Sequence, residues 1–153
     1  MYERFEAGEA ELVLDLRNCP LDDIRPLSGL PLRWLRLEGT QVRLLDPQAD
    51  TPLQELNIGS TPVSDLEPLA GMSLRRLRIS HCRNVRDVSP LGGSPVTHLW
   101  MNNMAIRDIS GLAGMQLEEL DLGSTPVGDI SALRGMPIHT LRLGTTEVSD
   151  LSV

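Results

Sequence analysis

Three pairs of residues in this sequence could make contact chemistry. Trp34 and Arg36, Arg76 and Arg78, and His98 and Trp100 are each two residues apart. On a strand, that spacing puts both members of a pair on one face of the sheet. An indole and a guanidinium placed together can stack, while the guanidinium keeps N–H donors for a carboxylate. Aromatic and unpaired arginine side chains are the common make-up of an interface anchor. The plainer reading is that the tryptophans pack on arginine stems and the arginines form a solvated cluster.

Catalytic chemistry is not expected. His81, His98 and His139 share no metal-ligand spacing. No glycine-rich phosphate loop precedes a helix; the runs Gly59–Thr61 and Gly123–Thr125 read as turns that end strands. The single, separated Asp residues fit a capping role better than a calcium ladder. The expectation is therefore no enzyme, no metal and no cofactor.

The elements that position the pairs follow from a repeat. Units begin at Glu11, Leu32, Leu53, Leu74, Val96, Leu117 and Ile138, each 21 residues long except the 22-residue unit from Leu74. A period of this size means that a unit cannot bury its apolar face alone and must stack on its neighbours. In the unit from Leu117 the apolar positions are Leu117, Leu120, Leu122, Val127, Ile130 and Leu133. The step of two from Leu120 to Leu122 is strand spacing. The thirteenth position holds Asp23, Asp65, Asp87, Asp108, Asp129 and Asp150, which can accept from free backbone N–H groups of a short helical turn. Pro26, Pro68 and Pro90 fall inside that turn, where a missing N–H costs little. Gly29, Gly71, Gly93, Gly114 and Gly135 close it.

Each unit thus predicts a short strand, a bend, and a helical or 3₁₀ return. The strands should be centred near Leu14, Leu35, Leu56, Leu77, Leu99, Leu120 and Leu141. The pattern LxxLxLxxTxVxDLxPLxGMP resembles the leucine-rich repeat family, closest to short bacterial repeats of the internalin type. The resemblance covers residues 11–153. It implies an α/β fold: a right-handed solenoid with a parallel sheet on its concave face and short returns on its convex face. Two departures stand out. The family's usual Asn at the ninth position is replaced by Thr and Cys, as at Thr61 and Cys82, so that ladder must be weaker or built differently. The unit from Leu32 has Leu44 in place of the Asp and Gln48 in place of the core Leu, which predicts an irregular return over 43–52.

Composition sets bounds. At 153 residues the chain can bury one core, and with aromatics at 3% that core is aliphatic. A net charge of −7 argues against general nucleic-acid binding. All 14 basic residues are Arg, a bias that fits a GC-rich bacterial source. Residues 1–11 lack the apolar run of a secretory signal and no stretch is long enough to span a membrane, so a cytoplasmic location is expected. Cys19 and Cys82 lie three units apart, roughly 14 Å by strand spacing, which is too far for a disulfide. Residues 1–10 read as an N-terminal cap, with Tyr2 and Phe5 covering the first layer. The last repeat is incomplete, and Val148, Leu151 and Val153 are expected to form an open layer able to self-associate.

Repeat positions three, five and seven should face the concave side. Neighbouring charges there suggest pairs of Asp15 with Arg36, Arg17 with Glu38, Glu55 with Arg76, and Asp121 with Arg142. Arg78 instead has Asn57 and Trp100 as row neighbours. The unit from Leu74 gathers Arg75, Arg76, Arg78, Arg83 and Arg86 against Asp87 alone, a basic band in an acidic chain. The expected function is a protein-binding module within a larger bacterial protein, touching a protein partner through Trp34, Arg36, Arg76, Arg78, His98 and Trp100. The alternative is an assembly element that associates through the open C-terminal edge.

Overall fold

The computed structural model describes residues 12–45 and 51–152. The expected cap over 1–10, the centre of the irregular return and Val153 lie outside them. Among the described residues, seven strands form one parallel sheet in chain order. They are β1 (Leu12–Asp15), β2 (Leu32–Arg36), β3 (Glu55–Asn57), β4 (Arg76–Arg78), β5 (His98–Trp100), β6 (Glu119–Asp121) and β7 (Thr140–Arg142). The register follows the repeat: Leu14, Leu35, Leu56, Leu77, Leu99, Leu120 and Leu141 stand in one row. The middle five are buried, while Leu14 and Leu141 in the outer strands are half-buried.

The returns are 3₁₀ turns at Arg25–Leu27, Glu67–Leu69, Ser89–Leu91, Ser110–Leu112 and Ser131–Leu133. Each follows an Asp that accepts the backbone N–H of the turn's first residue. Asp23 takes that of Arg25, Asp65 of Glu67, Asp87 of Ser89, Asp108 of Ser110 and Asp129 of Ser131, at 2.7–2.9 Å. The residue between, such as Val88 or Ile109, points its apolar side chain into the core. One bond therefore fixes the turn while the core keeps its methyl groups. These bonds hold the carboxyls of Asp87, Asp108 and Asp129 below the usual aspartate range.

A glycine at φ +72° to +80° follows every one of these turns. The preceding residue is extended, as at Ala113 with φ −54° and ψ 134°, and Met115 donates back to the Leu112 carbonyl at 3.1 Å. This is a type II turn, which needs a left-handed residue at its third position. A Cβ on Gly114 would meet nothing within 4 Å, so the demand is on backbone conformation alone. At Gly111 the demand is space. A Cβ there would lie 2.5 Å from the Ser89 Cα, and one on Gly92 would lie 2.9 Å from the Gly111 carbonyl oxygen. The returns of the fourth and fifth repeats, at Ser89–Leu91 and Ser110–Leu112, approach backbone to backbone.

Beyond each strand the chain bends inward at a left-handed residue. Asn18, Gly39, Ser60, His81, Asn103, Ser124 and Thr145 all have φ between 56° and 72°. Six of them donate to the next repeat: Asn18 to Glu38, Gly39 to Gly59, Ser60 to Ser80, His81 to Asn102, Asn103 to Gly123 and Ser124 to Gly144, at 2.7–3.0 Å. The ninth-position ladder is indeed built differently. The hydroxyls of Thr40, Thr61, Thr125 and Thr146 donate to the carbonyl three residues earlier, at 2.6–2.8 Å. The buried Cys82 thiol donates instead across repeats, to Ile58 at 3.0 Å.

In the irregular unit Leu45 enters the core and Leu44 is 72% exposed. The 22-residue unit absorbs its extra residue in a turn at Arg83–Asn84, where Asn84 Nδ2 donates to the Pro62 carbonyl at 3.2 Å. Beyond β7, Val148 is half-buried and Leu151 is 69% exposed.

Two stability changes follow. Leu77 is fully buried, so Leu77→Ala should cost about 2–5 kcal/mol in chemical denaturation, through the cavity it leaves. Gly114→Ala should cost about 1–2 kcal/mol in the same measurement, through backbone strain alone.

Candidate functional site

The concave sheet face carries the residues singled out by the sequence. Arg76 stands opposite His98 and Arg78 opposite Trp100 on the paired strands β4 and β5. The Arg78 guanidinium carbon lies 4.7 Å from the centre of the Trp100 ring. The His98 ring is 5.9 Å from the same indole, tilted by 41°, and its Nδ1 shares a 2.9 Å hydrogen bond with Thr97 Oγ1. Four of the six predicted residues are thereby brought together. Trp34 and Arg36 lie on β2, separated from β4 by β3 and its Glu55 and Asn57.

Trp100 is held on its other side too. Its Nε1 donates to Glu119 Oε1 at 3.1 Å, and the same oxygen accepts from Arg142. Arg78, Trp100, Glu119 and Arg142 thus form a continuous chain of contacts from β4 to β7. Arg142, first among the causes, holds the Glu119 carboxyl below its usual range, and the Trp100 hydrogen bond adds to this. Reading straight across the sheet missed Glu119, because both of its contacts run diagonally to the next strand. A diagonal neighbour is still within reach of long side chains, and that was the signal available.

The charge pairs were half anticipated. Arg36 approaches Asp15, and Arg76 approaches Glu55, each at 3.7 Å. Two others differ. Arg142 turns diagonally to Glu119, while Asp121 accepts the backbone N–H of Gly123 at 2.9 Å. Arg17 turns back to Asp15, which accepts its Nε at 2.9 Å, its second guanidinium nitrogen at 2.7 Å and its backbone N–H at 3.2 Å. This lowers the Asp15 pKa to about 2. Glu38, left by Arg17, accepts from Asn57 Nδ2 at 3.0 Å. In both corrections a fifth-position carboxylate serves the bend that follows its strand, and this local bond sets its direction.

Arg75, Arg76, Arg78, Arg83 and Arg86 are all exposed. Among the described residues only Arg76 of these five has a carboxylate within 4.0 Å. On the opposite side, an open groove of about 500 Å³ lies between the returns of the fourth and fifth repeats, lined by Arg86, Asp87, Ser89, Asp108 and Ser110 among others. Its carboxylates already accept backbone N–H groups. Among the described residues no group of three or more His, Cys, Asp or Glu is placed to hold a metal.

Over 92% of its length the chain matches solved structures of bacterial proteins. An internalin C2 from Listeria monocytogenes is 28% identical, with a TM-score of 0.86 over 92% of this chain and 64% of that one. The protein is a leucine-rich repeat solenoid with short, internalin-like repeats. An internalin F from the same organism shares the fold at 21% identity and a TM-score of 0.75, covering 92% of this chain and 50% of that one. The chain therefore spans about two thirds or less of the length of these neighbours. No family model and no curated protein matches the sequence. Domains of this repeat type are in general protein-interaction modules.

The Glu119 contacts predict a pH response. With Trp34→Phe as background, Trp100 is the sole tryptophan. Its fluorescence should change as pH falls through the folded Glu119 value, which lies below the usual glutamate range. The ion pair stabilises the fold above the unfolded pKa and is lost as pH drops through the folded one. Glu119→Gln should remove that transition.

Proposed function

We propose that this repeat domain binds a protein partner through its concave face, with the contact centred on Arg78 and Trp100. The observation that carries this reading is the stacked pair itself. Trp100 is half-buried and fixed on two sides, by Arg78 and by Glu119. A side chain already ordered loses little freedom when a partner covers it, so the contact keeps more of its gross energy. Arg76 and His98 extend the patch along the same two strands. Trp34 and Arg36 would belong to it only for a partner wide enough to cross β3. The domain acts as a binding module and not as an enzyme, and it serves as one part of a larger protein.

A second reading is assembly through the apolar layer beyond β7. It draws on the exposed Leu151 and the half-buried Leu141, Leu143 and Val148. Sedimentation velocity separates this case, since it requires a mass that rises with concentration.

The partner reading is tested by capture on the immobilised chain, compared with two variants. Trp100→Ala should weaken retention of a captured protein by about 2 kcal/mol or more. Arg107 lies away from the sheet face and pairs with Glu147 at 2.9 Å. Arg107→Ala should leave retention unchanged. Equal loss from both changes removes the concave face from consideration.

A further inference from the structure

We infer that the Arg78–Trp100 pair receives an acidic peptide segment, one that sets a carboxylate against Arg78 and an apolar or aromatic side chain against Trp100. This rests on the concave face being the contact surface, and it specifies the partner's chemistry.

The argument begins with what Arg78 lacks. Its guanidinium carbon sits over the Trp100 ring, while its N–H groups have no hydrogen-bond or ion-pair acceptor among the described residues. A guanidinium offers donors in a planar fork that fits both oxygens of one carboxylate. The indole covers one side of the group, so an acceptor must arrive from the side it leaves open. Stacking also limits the rotation of a long side chain, which lowers the entropy lost on pairing.

The surroundings set the width of the site. On the concave face, Arg76 and Arg78 on β4 and His98 and Trp100 on β5 are bounded by Glu55 on β3 and by Glu119 and Asp121 on β6. From β3 to β6 is three strand spacings, about 14 Å. One extended peptide fits within that window. A nucleic-acid strand has the same two attractions, stacking and phosphate, but it carries a charge at every nucleotide along its length. Its phosphates would run onto Glu119 and Asp121 or onto Glu55. The bounded positive window therefore favours one or two local carboxylates over a polyanion, in agreement with the chain's net charge of −7.

The test uses the full chain and three fluorescent probes: a peptide alternating Glu and Phe, its Gln and Phe counterpart, and a single-stranded oligothymidylate. Binding is read by anisotropy. The Glu peptide should bind and weaken as salt is raised, while the Gln peptide and the oligonucleotide bind far less. Arg78→Ala should weaken the Glu peptide by about 30-fold, which is the hot-spot threshold expressed as a ratio. Arg78→Lys should not restore it, because an ammonium keeps the charge but loses the fork. Arg107→Ala should bind as the parent does. The inference is overturned if the Glu peptide fails to bind, if either other probe binds as well, or if Arg78→Ala or Arg78→Lys binds like the parent. Should the Glu peptide fail while Trp100→Ala still loses a captured protein, the acidic partner falls and the concave face stands. If both fail, the concave reading itself falls.

Discussion

A repeat in this protein cannot satisfy its own backbone. The N–H groups of the strands, and of the left-handed residue beyond each, find their acceptors in neighbouring units: Arg76 donates back to Gln54, while Ile79 donates onward to Trp100 and His81 to Asn102. An unpaired buried amide costs free energy comparable to a lost hydrogen bond. The ladder therefore forces the next unit to sit in fixed register, and the register decides everything else. It stacks the core leucines in one row, brings the Asp-capped turns side by side, and sets Arg78 against Trp100. The core is aliphatic because the layers are thin, and methyl groups from consecutive units fill them without large rings.

The 22-residue unit shows how such a register tolerates an insertion. The extra residue lies at Arg83–Asn84, after the strand and its bend, so the sheet pairing between β4 and β5 continues unbroken. Asn84 reaches back to the preceding unit at Pro62, which ties the enlarged turn to its neighbour. The exposed arginines occur in this same unit. The sheet side of the repeat is constrained by pairing, whereas its outer edge can change length and charge without disturbing the core.

Much of this was legible in the residues, and the exceptions have physical causes. The leucines two apart, the Asp before each turn and the Gly after it all announce their roles, because few other residue types satisfy those positions. The bend after each strand was legible but its left-handed conformation was not, since Asn, Gly, Ser, His and Thr all serve there. Its conformation is imposed by the ladder and not by an intrinsic preference. The stacking of Trp100 on Arg78 could be anticipated from register. The partner of Arg142 could not, because the guanidinium reaches Glu119 along the diagonal and not Asp121 directly opposite. Straight-across reading is reliable for backbone register and weak for long side chains, whose reach includes the diagonal. Cys82 was legible as a small core residue, but the direction of its thiol, toward Ile58 of the preceding repeat, was not.

The contact between Gly111 and Ser89 has a consequence for shape. Here backbone meets backbone, and the two returns have reached a hard stop. A solenoid bends by keeping its strands at one spacing and its returns at another. This close approach of the returns falls behind β4 and β5, the strands that carry the arginine and the tryptophan. The two glycines act as a hinge pin pressed fully home, and a single methyl group there would pry the returns apart and change the arc over which the opposite face is presented.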